Sequence, residues 1–122
     1  MITKFFHAYY WECKIRNFRW WLQRSKRGWA EYDAWNIDVW FMETMESMLT
    51  YYRRHHVGYP PDLSAERWDE IIDRMIFLLK EMQKDDFEAG SIDGIMSSYD
   101  KRNNCKDEFF ELFSKYFYSL WD

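Results

Sequence analysis

Four stretches of the chain space their apolar residues at the period of an amphipathic helix. In the first, about residues 4–27, Trp11, Ile15, Phe18 and Leu22 recur at i, i+4, i+7 and i+11 and predict one buried face. The other three stretches cover about residues 33–55, 64–84 and 106–121. This pattern predicts an all-α protein, a compact four-helix bundle in which residues 1–122 form a single domain.

Residues that favour helix ends and turns fix the predicted boundaries. Gly28 is expected to stop the first helix, and Asp33 and Ser64 are expected to be the N-caps of the second and third. Residues 88–105 are rich in Gly, Ser and Asn and predict a loop. Within that loop, one helical turn containing Ile92, Ile95 and Met96 is expected to contact the core.

Charge and aromatic content make the predicted bundle uneven. Residues 1–28 hold seven Lys and Arg against one acidic residue, although the whole chain has a net charge of −4. The remainder therefore carries −10, so a basic N-terminal arm accompanies an acidic body. The two parts either neutralise each other on folding, or the arm forms an anion-binding surface. Aromatic residues make up 22% of the chain, which suggests that some rings stay exposed.

Asp38 is the outlier of the second predicted helix. The helical angle places it inside the apolar face, among Trp35, Phe41 and Met45. A carboxylate there is unfavourable unless it is paired. It is therefore either a structural lock that accepts from an indole N–H or an arginine, or a carboxylate that binds a ligand or partner.

The basic and aromatic residues between 14 and 29 are the best candidate binding surface. Arginine contacts phosphate in a bidentate manner, and aromatic rings stack on bases, so the combination suits nucleotides or single-stranded nucleic acid. The alternative is that the rings belong to the core. The candidate ligand- or partner-binding residues are Arg16, Arg19, Trp20, Arg24, Arg27, Trp29, Trp35 and Asp38.

The sequence predicts no catalytic residues, no metal site and no cofactor. Adjacent histidines such as His55 and His56 diverge by about 100° on a helix and do not chelate one ion together. Nucleophile-elbow, phosphate-loop and HExxH motifs are missing, and so is any duplex-DNA recognition motif. The chain also lacks a signal-peptide pattern and an apolar run of membrane-spanning length, which predicts a cytoplasmic protein without a membrane partner.

Residues 23–38, QRSKRGWAEYDAWNID, resemble a signature of small proteins encoded by tailed phages and prophages, QRxxRGWxxxDxWNLD. Gly58-Tyr59-Pro60 and the Trp68-to-Ile71 segment are similar to the turn and helix that follow in that family, and Ile37 stands where Leu is usual. The resemblance covers about residues 10–85 and the C-terminal end. It implies a phage accessory protein made inside a bacterium, and it directs attention to Arg27, Gly28, Asp33, Trp35, Asn36 and Asp38.

Three functional hypotheses follow. The first is a non-catalytic binding protein that inhibits a bacterial defence protein, as anti-CRISPR proteins do. The second is a sponge that sequesters a nucleotide-type defence signal. The third is a structural or assembly role in the phage particle. The acidic body and the surface aromatics favour the first, because interface cores favour Trp, Tyr and Arg.

Overall fold

The computed structural model describes residues 2–84 and 92–122, with side chains from residue 8 onward. Within these ranges the chain forms helices and no strands, which confirms the predicted all-α class and is compatible with a helical bundle. The elements are α1 (Ile2–Arg27), α2 (Glu31–Trp35), α3 (Ile37–His55), α4 (Ala65–Met82), α5 (Ile92–Tyr116) and a short 3-10 helix (Phe117–Ser119).

The chain divides into two compact units, Met1–Trp40 and Phe41–Asp122, called here the N-terminal and C-terminal units. The N-terminal unit contains α1, α2 and the first turn of α3. The C-terminal unit contains the rest of α3 together with α4, α5 and the 3-10 helix. The prediction of one domain over residues 1–122 stays a prediction.

The core of the C-terminal unit is built around α4. Six large side chains of this core are fully buried: Trp68, Ile72, Met75, Leu78, Leu79 and Phe109. Five of these lie on α4, because its apolar residues recur every three to four positions along one face. Leu49 of α3 and Phe109 of α5 join the same cluster, so all three long helices of the unit share one core.

Two of the predicted helix ends are confirmed. The hydroxyl of Ser64 accepts the backbone N–H of Arg67 at 3.1 Å and so caps α4. Gly28 follows the last residue of α1 with φ of +84°, and its N–H donates to the carbonyl of Arg24 at 2.9 Å. A residue without Cβ is favoured at this left-handed position.

The second predicted helix is broken, which corrects its boundaries. Asn36 leaves the helical conformation with φ of −141° and separates α2 from α3. Asp33 is therefore not an N-cap: it lies at the third position of α2, which begins after Ala30. Asn36 suits the break because its short polar side chain favours non-helical backbone at helix ends.

The prediction of a loop over residues 88–105 is wrong for residues 92–105, which belong to α5. Residues 88–91 lie outside the described residues. Ile92, Ile95 and Met96 are exposed, so they do not contact the core as predicted. Ser and Asn lower helix stability by only about 0.7 kcal/mol each or less, which the packing of Cys105 and Phe109 against the core offsets.

The apolar stripe of the first predicted helix is on the outside, which corrects its assignment to the core. Ile15 and Phe18 are 65% and 60% exposed, and Trp11 and Leu22 are exposed as well. Periodicity identifies a one-sided helix but not what covers the apolar side, and here α2 covers the opposite side of α1.

Candidate functional sites: the corner between α1 and α2, and an apolar groove

A bidentate ion pair joins α1 to α2. Arg24 donates from Nε and from a terminal nitrogen to the two carboxylate oxygens of Asp33, at 2.9 and 2.7 Å. Asp33 is only 8% exposed, and it also accepts the backbone N–H of Ala30 at 2.8 Å. The Arg24 guanidinium and the Ala30 N–H together hold the pKa of Asp33 below its ordinary value, despite burial. Asp33 is thus a structural lock, with every oxygen bonded to a donor.

Aromatic rings and a side-chain amide complete this corner. Trp20 of α1 packs on Tyr32 and Trp35 of α2, with ring centroids 4.9 and 6.2 Å apart. The side-chain oxygen of Gln23 accepts the backbone N–H of Glu31 at 2.8 Å, which satisfies one of the free donors at the start of α2. The corner is therefore fixed by polar and ring contacts on the inner side of α1.

The structure brings only part of the predicted site together. Trp20, Arg24 and Trp35 meet at the corner, whereas Arg19 is exposed elsewhere on α1. The guanidinium carbon of Arg16 lies over the Trp20 ring, 5.0 Å from its centre. Arg27 donates to the Trp29 carbonyl at 3.0 Å and lies 3.7 Å from the centre of the Trp29 ring.

Asp38 is not the structural lock that was one of its two predicted roles, whereas binding of a ligand or partner by this carboxylate stays a prediction. It is exposed in the first turn of α3, so it is not buried in an apolar face. The break at Asn36 shifts the angular register, and a carboxylate in a first turn is stabilised by the helix dipole. In the N-terminal unit the buried, paired carboxylate is Asp33, whose signal in the sequence was its spacing of nine residues from Arg24 across a glycine turn.

A second feature lies in the C-terminal unit, where α3 and the end of the chain border an open apolar groove of about 760 Å³. Leu49 is buried at its floor, while Met48, Tyr51 and Phe117 are at least half exposed at its edges. The lining residues are Met45, Ser47, Met48, Leu49, Tyr51, Tyr52, Phe113, Phe117 and Leu120. Sequence periodicity assigned most of them to helix faces, but a groove between two segments is invisible to a single-helix pattern.

Hydrogen bonds fix the C-terminal wall of the groove. The hydroxyl of Tyr52 accepts the indole N–H of Trp68 and donates to the carbonyl of Trp121, both at 3.2 Å. One carboxylate oxygen of Asp122 accepts the backbone N–H groups of Val57 and Gly58 at 3.0 and 2.8 Å. These two donors lower the pKa of Asp122. The last residues of the chain are therefore tied to the segment that follows α3.

Charged side chains near the end of α3 contact one another rather than line the groove. Both ring nitrogens of His56 face acceptors, the carbonyl of Gly58 at 2.9 Å and the carboxylate of Asp69 at 2.7 Å. Arg53 pairs with Asp69 and Asp73. Among the described residues no group of three or more His, Cys, Asp or Glu is arranged to hold a metal ion.

Comparison with known proteins adds no relative. No family model, curated protein or solved structure matches the chain. None of the helices in the described ranges is long and apolar enough to cross a membrane.

Proposed function

We propose that the protein is a non-catalytic binding protein whose apolar groove takes an amphipathic helix from a protein partner. The observation that carries this proposal is the groove itself, in which Met45, Met48 and Phe117 lie beside the buried side chain of Leu49. Methionine side chains are flexible and polarisable, and they are used in grooves that bind apolar helix faces.

Charge defines the kind of helix that fits. The C-terminal unit holds ten Lys and Arg against seventeen Asp and Glu, a net charge of −7. Its field attracts basic partners and raises their association rate. The proposed partner helix therefore has an apolar stripe for the groove and lysine or arginine residues on its flanks.

The proposed partner is a bacterial defence protein, which the chain inhibits by occupying it. This part rests on the resemblance of residues 23–38 to phage-encoded accessory proteins, and it gives the binding a biological purpose. Inhibition by contact needs no catalytic residues, in keeping with the motifs absent from the sequence.

A photocrosslinking experiment tests the groove directly. A photoreactive amino acid replaces Met48 in one protein and Tyr118 in another, and each protein is expressed in a defence-proficient bacterium. Tyr118 is 89% exposed and does not line the groove, so it is the matched control. We expect a specific crosslink from position 48 alone, mapped to a helix of the partner. Equal crosslinking from both positions contradicts the proposal.

The substitution Met48→Lys then tests whether binding accounts for inhibition. Because Met48 is half exposed, the lysine is accommodated without loss of the fold. We expect the affinity for the crosslinked partner, measured by calorimetry, to fall at least about tenfold. The unaltered protein is expected to restore phage plating on the defence-proficient host. Met48→Lys is expected to lose this rescue, and Tyr118→Lys is expected to keep it.

The nucleotide-sponge alternative is less favoured by the geometry. Asp33 already occupies the guanidinium fork of Arg24 that would accept a phosphate. A thermal-shift screen with cyclic nucleotides separates the two ideas, because a bound nucleotide raises the melting temperature. The particle-assembly alternative is tested by mass spectrometry of purified virions.

A further inference from the structure

One side of α1 is an exposed aromatic stripe, made of Tyr10, Trp11, Ile15, Phe18, Trp21 and Leu22. At 1.5 Å per residue the stripe extends for about 18 Å along the helix. The Phe18 and Trp21 rings stack at 5.8 Å, and the Tyr10 and Trp11 rings meet edge to face at 6.0 Å. Trp20 and Arg24 face α2, so the stripe lies on the side of α1 that points away from α2.

Positive charge accompanies the stripe along its whole length. By helical angle, Lys14 lies within the stripe and Arg19 and Lys26 lie along one edge. Lys14 bends over the rings of Tyr10 and Trp11, with its amino group 4.6 and 5.8 Å from their centres. Glu12 is the single acidic residue among the 26 residues of α1. The exposed stripe of aromatic rings is therefore flanked by cationic side chains, and the helix that carries it has a strong net positive charge.

We propose that α1 lies on the surface of a membrane that contains anionic lipids. The aromatic stripe enters the boundary between headgroups and acyl chains, and Lys14, Arg19 and Lys26 contact lipid phosphates. Three of the six stripe residues are Trp or Tyr, whose amphipathic rings favour that boundary. Helices with this division bind membranes through buried apolar area together with attraction to anionic headgroups.

The features of α1 favour a lipid surface over a second protein. The stripe is a ridge on a convex helix, so a flat, deformable surface contacts all of it, whereas a protein partner needs a matching groove. The proposal uses none of the groove residues Met45, Met48 or Phe117. It therefore stands independently of the proposed function. It replaces the sequence-based prediction of a protein without a membrane partner, which rested on the missing membrane-spanning segment and not on surface binding.

Co-sedimentation with vesicles tests the proposal. The full chain is mixed with vesicles of phosphatidylcholine alone or with vesicles in which a third of the lipid is phosphatidylglycerol. We expect binding to the anionic vesicles only, weakened by high salt because the attraction is screened. The double substitution of Phe18 and Trp21 by Ser is expected to lower the partition coefficient at least about tenfold.

Two controls keep the result interpretable. The matched variant replaces Tyr99 and Ile92 of α5, which are similarly exposed, by Ser and is expected to bind as the unaltered protein does. The unaltered protein is also mixed with vesicles of brominated lipid, which quench Trp11 and Trp21 only if the stripe enters the acyl boundary. Met48→Lys is expected to keep vesicle binding.

Three outcomes overturn the proposal: no binding to anionic vesicles, equal loss with the α5 variant, or no quenching by brominated lipid. Loss of self-association or of a protein partner in the Phe18 and Trp21 variant, without vesicle binding by the unaltered protein, assigns the stripe to a protein interface instead.

Discussion

Among the described residues, both units of this protein expose many aromatic rings, but only the C-terminal unit also buries rings in a core. In the C-terminal unit Trp68 and Phe109 are fully buried in a shared core. Among residues 8–40, by contrast, the only buried residues are Ala30 and Asp33, and most of the rings are on the surface. The C-terminal unit is stabilised by apolar burial, whereas the N-terminal corner is held by an ion pair, backbone caps and ring contacts. Aromatic content therefore does not indicate a core by itself.

The largest expected effect comes from removing one phenylalanine ring from each unit and comparing the two losses of stability. Phe109→Ala removes a fully buried side chain and is expected to lower the free energy of unfolding by about 3–5 kcal/mol. Phe18→Ala, at a 60% exposed position, is expected to change it by less than about 0.5 kcal/mol. Urea unfolding followed by far-UV circular dichroism measures both. Similar losses in the two variants would remove the contrast.

The second prediction compares two carboxylates five positions apart. Asp33→Ala removes the partner of Arg24 and the acceptor for Ala30, so the corner is expected to open more easily by about 1–2 kcal/mol. Asp38→Ala is expected to cost about 0.3–0.5 kcal/mol, because it removes only a dipole contact. Hydrogen exchange of residues 24–40, measured by mass spectrometry, distinguishes them. A larger effect at Asp38 would restore its predicted role as the lock.

The third prediction concerns the turn that makes the corner possible. Gly28→Ala is expected to destabilise the end of α1 by about 1 kcal/mol, because φ is +84° there and Cβ disfavours that backbone conformation. Space is not the reason, since no heavy atom beyond Gly28 and its two chain neighbours lies within 4 Å of the position that Cβ would take. Gly28→Asn is the control, because asparagine tolerates this conformation better. Equal melting temperatures for Gly28→Ala and the unaltered protein count against a strained turn.

The smallest effects are expected on acidification, and they concern both units. Donors lower the pKa of Asp33 and of Asp122 below their ordinary value of 3.8. Each carboxylate therefore contributes stability that is complete above that value and is lost as the pH falls through the lower pKa of the folded state. We expect a drop of a few degrees in melting temperature between about pH 5 and pH 2. Asp33→Asn should remove the change in the N-terminal unit, as resolved by hydrogen exchange. Asp122→Asn should remove only part of the change in the C-terminal unit, because lysines and Arg74 also lower the pKa of Glu81 and of Glu108. A pH dependence unaltered by either substitution would exclude these carboxylates.

The all-α class and the position of α4, around which the C-terminal core forms, could be predicted from the sequence. Strong periodicity on α4 and the Ser64 cap are local signals, and the structure keeps both. The start of α5 was not predictable in the same way, because Gly94, Ser98 and Asn103 favour turns as isolated residues. Their helical conformation comes from continuity with a packed C-terminal half.

The candidate sites depended on register, which local patterns did not supply. A single break at Asn36 moved Asp38 to the outside and left Asp33 as the paired carboxylate. The stripe on α1 was recognised as one face, but its exposure depends on where α2 lies. The groove required the end of the chain to return beside α3, a contact between residues more than 60 positions apart.

The burial of Trp68 has a consequence for optical measurements. Six of the eight tryptophans lie in residues 1–40, and of the two others Trp121 is largely exposed, so a single indole reports on the C-terminal core. Emission spectra are then dominated by indoles that are already hydrated before denaturant is added. Fluorescence and circular dichroism transitions are expected to diverge even if each unit unfolds in one cooperative step, and that divergence would not by itself indicate an intermediate.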